Sequence, residues 1–466
     1  MLIKRGVLLT LMTLGLTGCA ITTPVPNTDV TVPVQWSQPP ADNQWPSAQW
    51  WEQYQSQELA TLLQRGRLGN LDLATSASRL LQADALSRQA GAALLPQIGA
   101  GLSGNRGDTL RSDGNGDLSR NSYSATLNAS YEVDFWGRNR ASVKSAQANL
   151  QASRFDLETL AITVDATVAT TWFQLLENQQ RLRLASDSLR IAERVLDLIQ
   201  ARYRFGAADG LELSQQRTLV AQLRASLPAL EQAGLQLRNS LALLLGSTPD
   251  TALPIATALA TIQPPKIGAG LPIELLTRRP DIRASEARLV AANADLTAAR
   301  AALLPSIQLT GQYGVQSLAL SGLLNNPMTA WNLAAGLTQP IFQGGRLRAQ
   351  VELNEARQEE LLIDYRRTLL SALGDVDTAL GAVRQADVQY GFLALANREA
   401  ELAFNLAESR YRAGAITLQT LLDTQRTWYQ SQDSLAQQRT NWLLATVDLY
   451  RALGGGWAEG ALSYLP

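Results

Sequence analysis

"SYSATLNASYEVDF" (residues 122–135) passes through Trp136 and Gly137 into "RNRASVKSAQANLQASRFDLETLAITVDATVATTWFQLLENQQ" (residues 138–180). In the first segment Tyr123, Ala125, Leu127, Ala129, Tyr131, Val133 and Phe135 alternate with Ser124, Thr126, Asn128, Ser130, Glu132 and Asp134. That is a period-two strand with one apolar and one polar face. The second segment contains no Gly or Pro until Gly206, a helical run of 68 residues. At 1.5 Å rise per residue it would extend roughly 100 Å. Its apolar positions, from Phe155 through Leu157, Leu160, Val164 and Val168 to Leu196, fall near three-and-four spacing with many Ala between them. Such spacing suits coiled-coil packing against neighbouring helices along the whole length. On the helices alone, a soluble helical bundle is the favoured reading.

The pattern occurs twice. "NLDLATSASRLLQADALSRQAGAALLPQI" from Asn70 lies ungapped over "RPDIRASEARLVAANADLTAARAALLPSI" from Arg279. "FWGR" at 135–138 returns as "FQGGR" at 342–346, and "RYRFGA" at 202–207 as "RYRAGA" at 410–415. Matches in this order identify a tandem duplication. Each copy predicts a leading helix (57–94, then 273–303) ended by Pro96 or Pro305. Then come an extended stretch, a polar loop ("GNRGDTLRSDGNGDLSRN" or "SGLLNNP"), a second extended stretch, the long helix ending at Gly206 or Gly414, and a return helix (211–245, 417–453). The expected division is a first repeat at 47–245 with a hairpin at about 96–134, a Pro- and Gly-rich linker at 246–270, a second repeat at 271–456 with a hairpin at about 305–341, and a tail at 457–466.

Composition excludes several functions. Lys and Arg total 40 against 41 Asp and Glu, so no basic stripe invites nucleic acid. The absence of His removes the commonest general base and metal ligand, and with no nucleophile or phosphate-loop motif the chain does not read as an enzyme. The one Cys is Cys19. It follows a basic head (Lys4, Arg5), an apolar stretch at 6–17 too short to span a bilayer, and the small-residue ending Leu16-Thr17-Gly18. This reads as a signal peptide at 1–18. The LTGC ending resembles a bacterial lipobox, which implies a covalent lipid on Cys19, a lipid-anchored segment at 19–46 and, with Ala20 next, sorting to the outer membrane. No cofactor is expected beyond that lipid.

No later segment is apolar for about 18 residues, so a membrane crossing would need a β-barrel. Two hairpins supply four strands of roughly 10–13 residues, while the smallest bacterial barrels have eight. An open sheet would leave unpaired amides and carbonyls in lipid, so the chain must oligomerise; three copies would give twelve strands. The competing expectation is a periplasmic coiled-coil lipoprotein scaffold that never enters the membrane.

"LLTRRPDIRASEARLVAANADLTAARAALLPSIQLTG", "PIFQGGRLRAQ", "RYRAGAITLQTLLDTQRT" and "LYRALGGGW" closely resemble TolC-like outer-membrane efflux proteins, nearest the lipid-anchored branch serving multidrug efflux. The resemblance runs from about Trp50 to Trp457. It implies a homotrimer in which a twelve-stranded barrel continues into a long periplasmic α-helical coiled-coil tunnel. It also implies a periplasmic adaptor and an inner-membrane transporter as partners, and small-molecule efflux rather than type I protein secretion. The family closes its periplasmic end with acidic, Tyr and Arg side chains near the helix turns. Carried over, these are Glu212 and Asp423, with Tyr203 and Arg204 and their counterparts Tyr411 and Arg412; the turns at Gly206 and Gly414 would meet the adaptor. Ile416 and Thr420 stand where the TolC pattern has an Arg and an Asp. Trp50 and Trp51 are expected to pack the N-terminal segment rather than to stack a ligand.

Overall fold

The computed structural model describes residues 22–24, 26–40, 44–109, 118–251, 255–325 and 327–457. Cys19, the signal segment and the residues after Trp457 lie outside the described residues. The first copy contains α1 (Gln57–Gly69), α2 (Leu71–Ala92), β1 (Gln97–Thr109), β2 (Leu118–Val133), α3 (Arg138–Arg204) and α4 (Gly210–Leu244). The second contains α5 (Leu275–Arg278), α6 (Pro280–Ala301), β3 (Ser306–Ser317), α7 (Leu320–Asn325), β4 (Met328–Thr338), α8 (Arg346–Arg412) and α9 (Leu418–Ala452). Both long helices are 67 residues and both return helices 35. The duplication read from the sequence is therefore repeated in the order and length of the elements.

Three details differ from the sequence reading. The leading helices are each broken once. At Asn70 the side-chain Oδ1 accepts from the backbone N–H of Asp72 and Leu73 at 3.0 and 3.1 Å, restarting the helix as an N-cap. In the second copy Pro280 begins α6, the one place where a missing N–H costs nothing. The polar loop of the first hairpin is shorter than expected, because the ladder continues to Thr109 opposite Leu118. Cross-strand backbone bonding carries polar residues into the strands there. "SGLLNNP" is largely the short helix α7 rather than a loop.

The chain divides into two compact units. One holds the sheet and adjoining helix ends, within Arg79–Arg154 and Ala284–Arg366 together with the described residues at 22–24 and 26–29. Its four strands pair antiparallel in the order β1-β2-β3-β4, leaving β1 and β4 as edges. Residues opposite one another in such a ladder share a face. Ala100, Leu127, Tyr313 and Trp331 form one row, and Ile98, Ala129, Gly311 and Leu333 the next. The alternate rows read Gly99, Asn128, Gln312, Asn332 and Gln97, Ser130, Thr310, Ala334. Over these rows the sheet is apolar on one side and mainly polar on the other. The apolar side is bare within the chain: Leu102 is 84% exposed, Trp331 76% and Leu333 78%. Below it, Trp136 donates its indole N–H to the Pro305 carbonyl at 2.7 Å, and Arg138 pairs with Glu132 at 2.6 Å.

The second unit packs helical segments within Val30–Ser78, Phe155–Arg283 and from Arg367 onward. Trp50 stacks on Tyr450 with ring centroids 4.8 Å apart, and Arg67 lies over the Trp51 ring, so both tryptophans serve packing. Trp172 donates to Glu58 Oε1 at 2.6 Å, while Glu58 Oε2 accepts from the backbone N–H of Ala256 and Thr257. The Arg439 guanidinium donates to the carbonyls of Leu259, Ala260 and Ile262 at 3.1, 2.8 and 2.7 Å. The connection between the copies is thereby held by half-buried polar anchors, with only short helical turns of its own.

Asp165 is buried beneath these elements, and Arg67 bonds both its oxygens, the closest contact at 2.6 Å. Burial raises its pKa above the usual carboxylate value, although the Arg67 guanidinium opposes the shift. A carboxyl whose pKa is raised by folding destabilises the fold above that pKa and ceases to do so as pH falls through it. Arg67→Ala should therefore cost on the order of 3 kcal/mol near neutral pH by orphaning a buried charge. The loss should shrink as the medium is acidified, which thermal unfolding across a pH series would measure.

Candidate functional site

Within the helical unit, the turns at Gly206 and Gly414 carry the residues singled out from the sequence. Each long helix stops in the same way. Gly206 adopts φ +71°, with its N–H on the Tyr203 carbonyl at 3.1 Å and the Ala207 N–H on the Arg202 carbonyl at 2.8 Å. Gly414 has the same φ, with bonds to Tyr411 at 3.0 Å and from Ala415 to Arg410 at 2.9 Å. This double bond around a left-handed residue is the Schellman stop, which an L side chain would strain. The return helices then start on side-chain caps: Asp209 Oδ1 accepts from Glu212 N–H at 2.8 Å and Thr417 Oγ1 from Thr420 N–H at 3.4 Å.

A buried cluster joins the two hairpins here. Val195, Ile199, Leu213 and Leu219 of the first copy pack with Phe404, Ala407, Tyr411, Leu418, Leu421 and Leu422 of the second. Trp428 stacks on Phe404 at 4.9 Å. Tyr411 is only 2% exposed, the Arg202 guanidinium sits 5.0 Å from its ring centroid, and Arg202 also donates to the Ala207 carbonyl at 3.2 Å. Glu212 lies near enough to act electrostatically on Tyr411. Burial raises the phenol pKa, the Glu212 carboxylate adds to the rise and Arg202 counters it, so the hydroxyl stays protonated. The Tyr411 hydroxyl and Glu212 Oε2 are both buried without a hydrogen-bond partner.

The other candidates stay apart from that pair within one chain. Tyr203 is 48% exposed. Arg204 reaches back to the Gln200 carbonyl at 3.4 Å, Arg412 to Glu408 at 2.6 Å, and the exposed Asp423 carboxylate accepts from Gln419. Sequence reasoning missed Arg202, although it opens the quoted "RYR" motif. It also missed Gln216, fully buried with its amide on the Ala192 carbonyl at 2.7 Å, and its buried counterpart Gln425. A polar residue at an inward helix position carries no sequence signal of its own. Among the described residues there is no cluster of metal-ligating side chains and no helix long and apolar enough to cross a membrane.

The sequence model described as outer membrane efflux protein matches this chain twice, over residues 62–247 and 271–455. The chain belongs to the outer membrane efflux protein family. It is 43% identical to a pyoverdine export outer membrane protein of Pseudomonas putida, over 98% of both chains. It is 33% identical to a solvent efflux pump outer membrane protein of the same species, over 87% of both. Among solved structures, the outer-membrane channel OprN superposes with a TM-score of 0.88 at 27% identity, covering 94% of this chain and all of that one. The long helices and four-stranded sheet are the fold of these channels, the family is one of channels rather than enzymes, and the outer membrane is where this efflux protein resides. Its helix turns should be sensitive to any side chain that forbids positive φ. Gly206→Val and Gly414→Val should each cost about 1–2 kcal/mol locally, seen as faster amide hydrogen exchange around residues 200–215 or 408–423.

Proposed function

We propose that three copies of this outer membrane efflux protein form a passive export duct, fed by an inner-membrane transporter through a periplasmic adaptor. The observation that carries the reading is the four-stranded sheet with two unpaired edges and two chemically opposite faces. In a bilayer each unpaired N–H or C=O on β1 and β4 costs several kcal/mol. Pairing β4 of one copy with β1 of the next removes every edge, and three sets of four strands reach twelve. The apolar rows then meet lipid and the polar rows line a wet lumen. Leu370, Phe392, Leu402 and Leu406, exposed on α8, offer apolar surface for neighbouring copies below the barrel.

Cys19 carries the lipid that anchors the N-terminal segment 19–46 after loss of residues 1–18. The repeats at 47–245 and 271–456, joined at 246–270 and followed by the tail at 457–466, supply one hairpin and one helical hairpin each. The turns at Gly206 and Gly414 meet the adaptor. Glu212, Asp423, Tyr203, Arg204, Tyr411 and Arg412 form the periplasmic gate. Three-fold symmetry gathers like carboxylates in a ring, which repels unless arginines or cations compensate it. The relatives named for pyoverdine export and solvent efflux support a small molecule as cargo. The fold needs no cofactor for this task.

Glu212→Ala combined with Asp423→Ala should raise single-channel conductance in planar bilayers; unchanged conductance would remove both from the gate. The two faces are separable as well. Leu333→Arg should lose about 2–4 kcal/mol of membrane stability and lower the amount assembled in outer membranes, whereas Gln312→Arg on the opposite face should assemble normally.

A further inference from the structure

The two "RYR" motifs have the same backbone and opposite side-chain use. Their last arginines both turn back four residues, Arg204 to the Gln200 backbone carbonyl and Arg412 to the Glu408 carboxylate. Their first two residues do not. Arg202 of the first motif covers the ring of Tyr411 of the second, and that tyrosine is buried. The remaining members, Arg410 and Tyr203, are both exposed, and neither side chain makes a hydrogen bond or ion pair among the described residues. One Arg–Tyr contact is thus made between the two copies of the repeat inside the chain, while the reciprocal one is left with both halves open.

We infer that Arg410 of one subunit lies over Tyr203 of the next, so that the Arg202–Tyr411 contact within a chain is reproduced between chains around the ring. The inference rests on the trimer proposed above and adds the residues that join subunits at the tip. The occupant of this surface is a second copy of the chain. Two nearly equal repeats, alternating around a closed ring, meet at two kinds of joint: first copy to second within a chain, and second to first of the neighbour. Elements of equal length with identical stops at Gly206 and Gly414 present the same motif at each joint. A guanidinium over an aromatic face is favourable at such a contact because the ring's negative face meets the cation. Placing Tyr203 there also covers an aromatic ring that a lone chain leaves in water. The joints differ in one respect. Glu212 is the third residue after the Asp209 cap, and the residue at that place after the Thr417 cap is Thr420, so the joint between subunits lacks this carboxylate.

The test uses the full-length chain in detergent, with Tyr203→Cys and Arg410→Cys introduced together and treated with a short bis-maleimide. Covalent dimers and trimers on a denaturing gel are expected, with each single variant and the chain carrying only Cys19 staying at monomer mass. The control pair Arg202→Cys with Tyr411→Cys should link within one chain, without a gain in mass, detected as a joined peptide by mass spectrometry. The inference is overturned if the Tyr203/Arg410 pair stays at monomer mass while its native size remains trimeric, or if the single variants cross-link as readily as the pair. A native size of one subunit would instead overturn the trimer itself.

Discussion

Backbone hydrogen bonding in a medium without water is the constraint on which this molecule depends. Strands β1 to β4 satisfy one another where they touch, but β1 and β4 each turn a row of amides and carbonyls outward. In water such edges are tolerable; in hydrocarbon they are not. An amphipathic sheet normally packs its apolar face on a core, but here Leu102, Trp331 and Leu333 stay bare within the chain while Asn128, Gln312 and Asn332 occupy the other side. The need to close the wall explains why a membrane protein of this class contains only four strands. It also explains why the proposed working unit is larger than the chain.

Duplication supplies the rest economically. Two sets of elements with matched lengths give two hairpins and two helical hairpins that stop in register. Near-symmetry of this kind lets one motif serve at two joints, but it does not require the two uses to be identical. At the tip the first copy contributes the cation and carboxylate, Arg202 and Glu212, and the second the buried ring, Tyr411. The unpartnered oxygens of Tyr411 and Glu212 mark this as a place where a single chain is incomplete. A buried polar atom without a partner costs free energy, and such sites are where arrangements can be exchanged.

Elsewhere, several buried or half-buried polar groups are held by multiple hydrogen bonds. Asp165 is held by Arg67, Glu58 by Trp172 and two backbone amides, and Arg439 by three carbonyls. Long helices packed through Ala-rich faces slide easily, since such surfaces have few large ridges to fix their register. Directional bonds at the waist of the bundle specify position where apolar packing alone would not. The contrast with the incomplete cluster at the tip separates a fixed region from one suited to movement.

The sequence by itself determined the elements: period-two alternation from Tyr123 marked a strand, the run without Gly or Pro from Arg138 marked the long helix, and the repeated motifs marked the duplication. These are local signals, set by backbone geometry and side-chain spacing within a few residues. Breaks at Asn70 and Arg279 were not read from the sequence, which predicted unbroken helices over 57–94 and 273–303, although their causes, the Asn70 cap and Pro280, are local. Tertiary structure alone decided what depends on residues far apart in the chain. It chose β2 to pair with β3 across the two copies, matched the apolar rows over four strands, and brought Arg202 to Tyr411 while leaving Tyr203 and Arg410 open. Identical motifs carry identical local information, so only their surroundings, set by which neighbour packs against each, could make them differ.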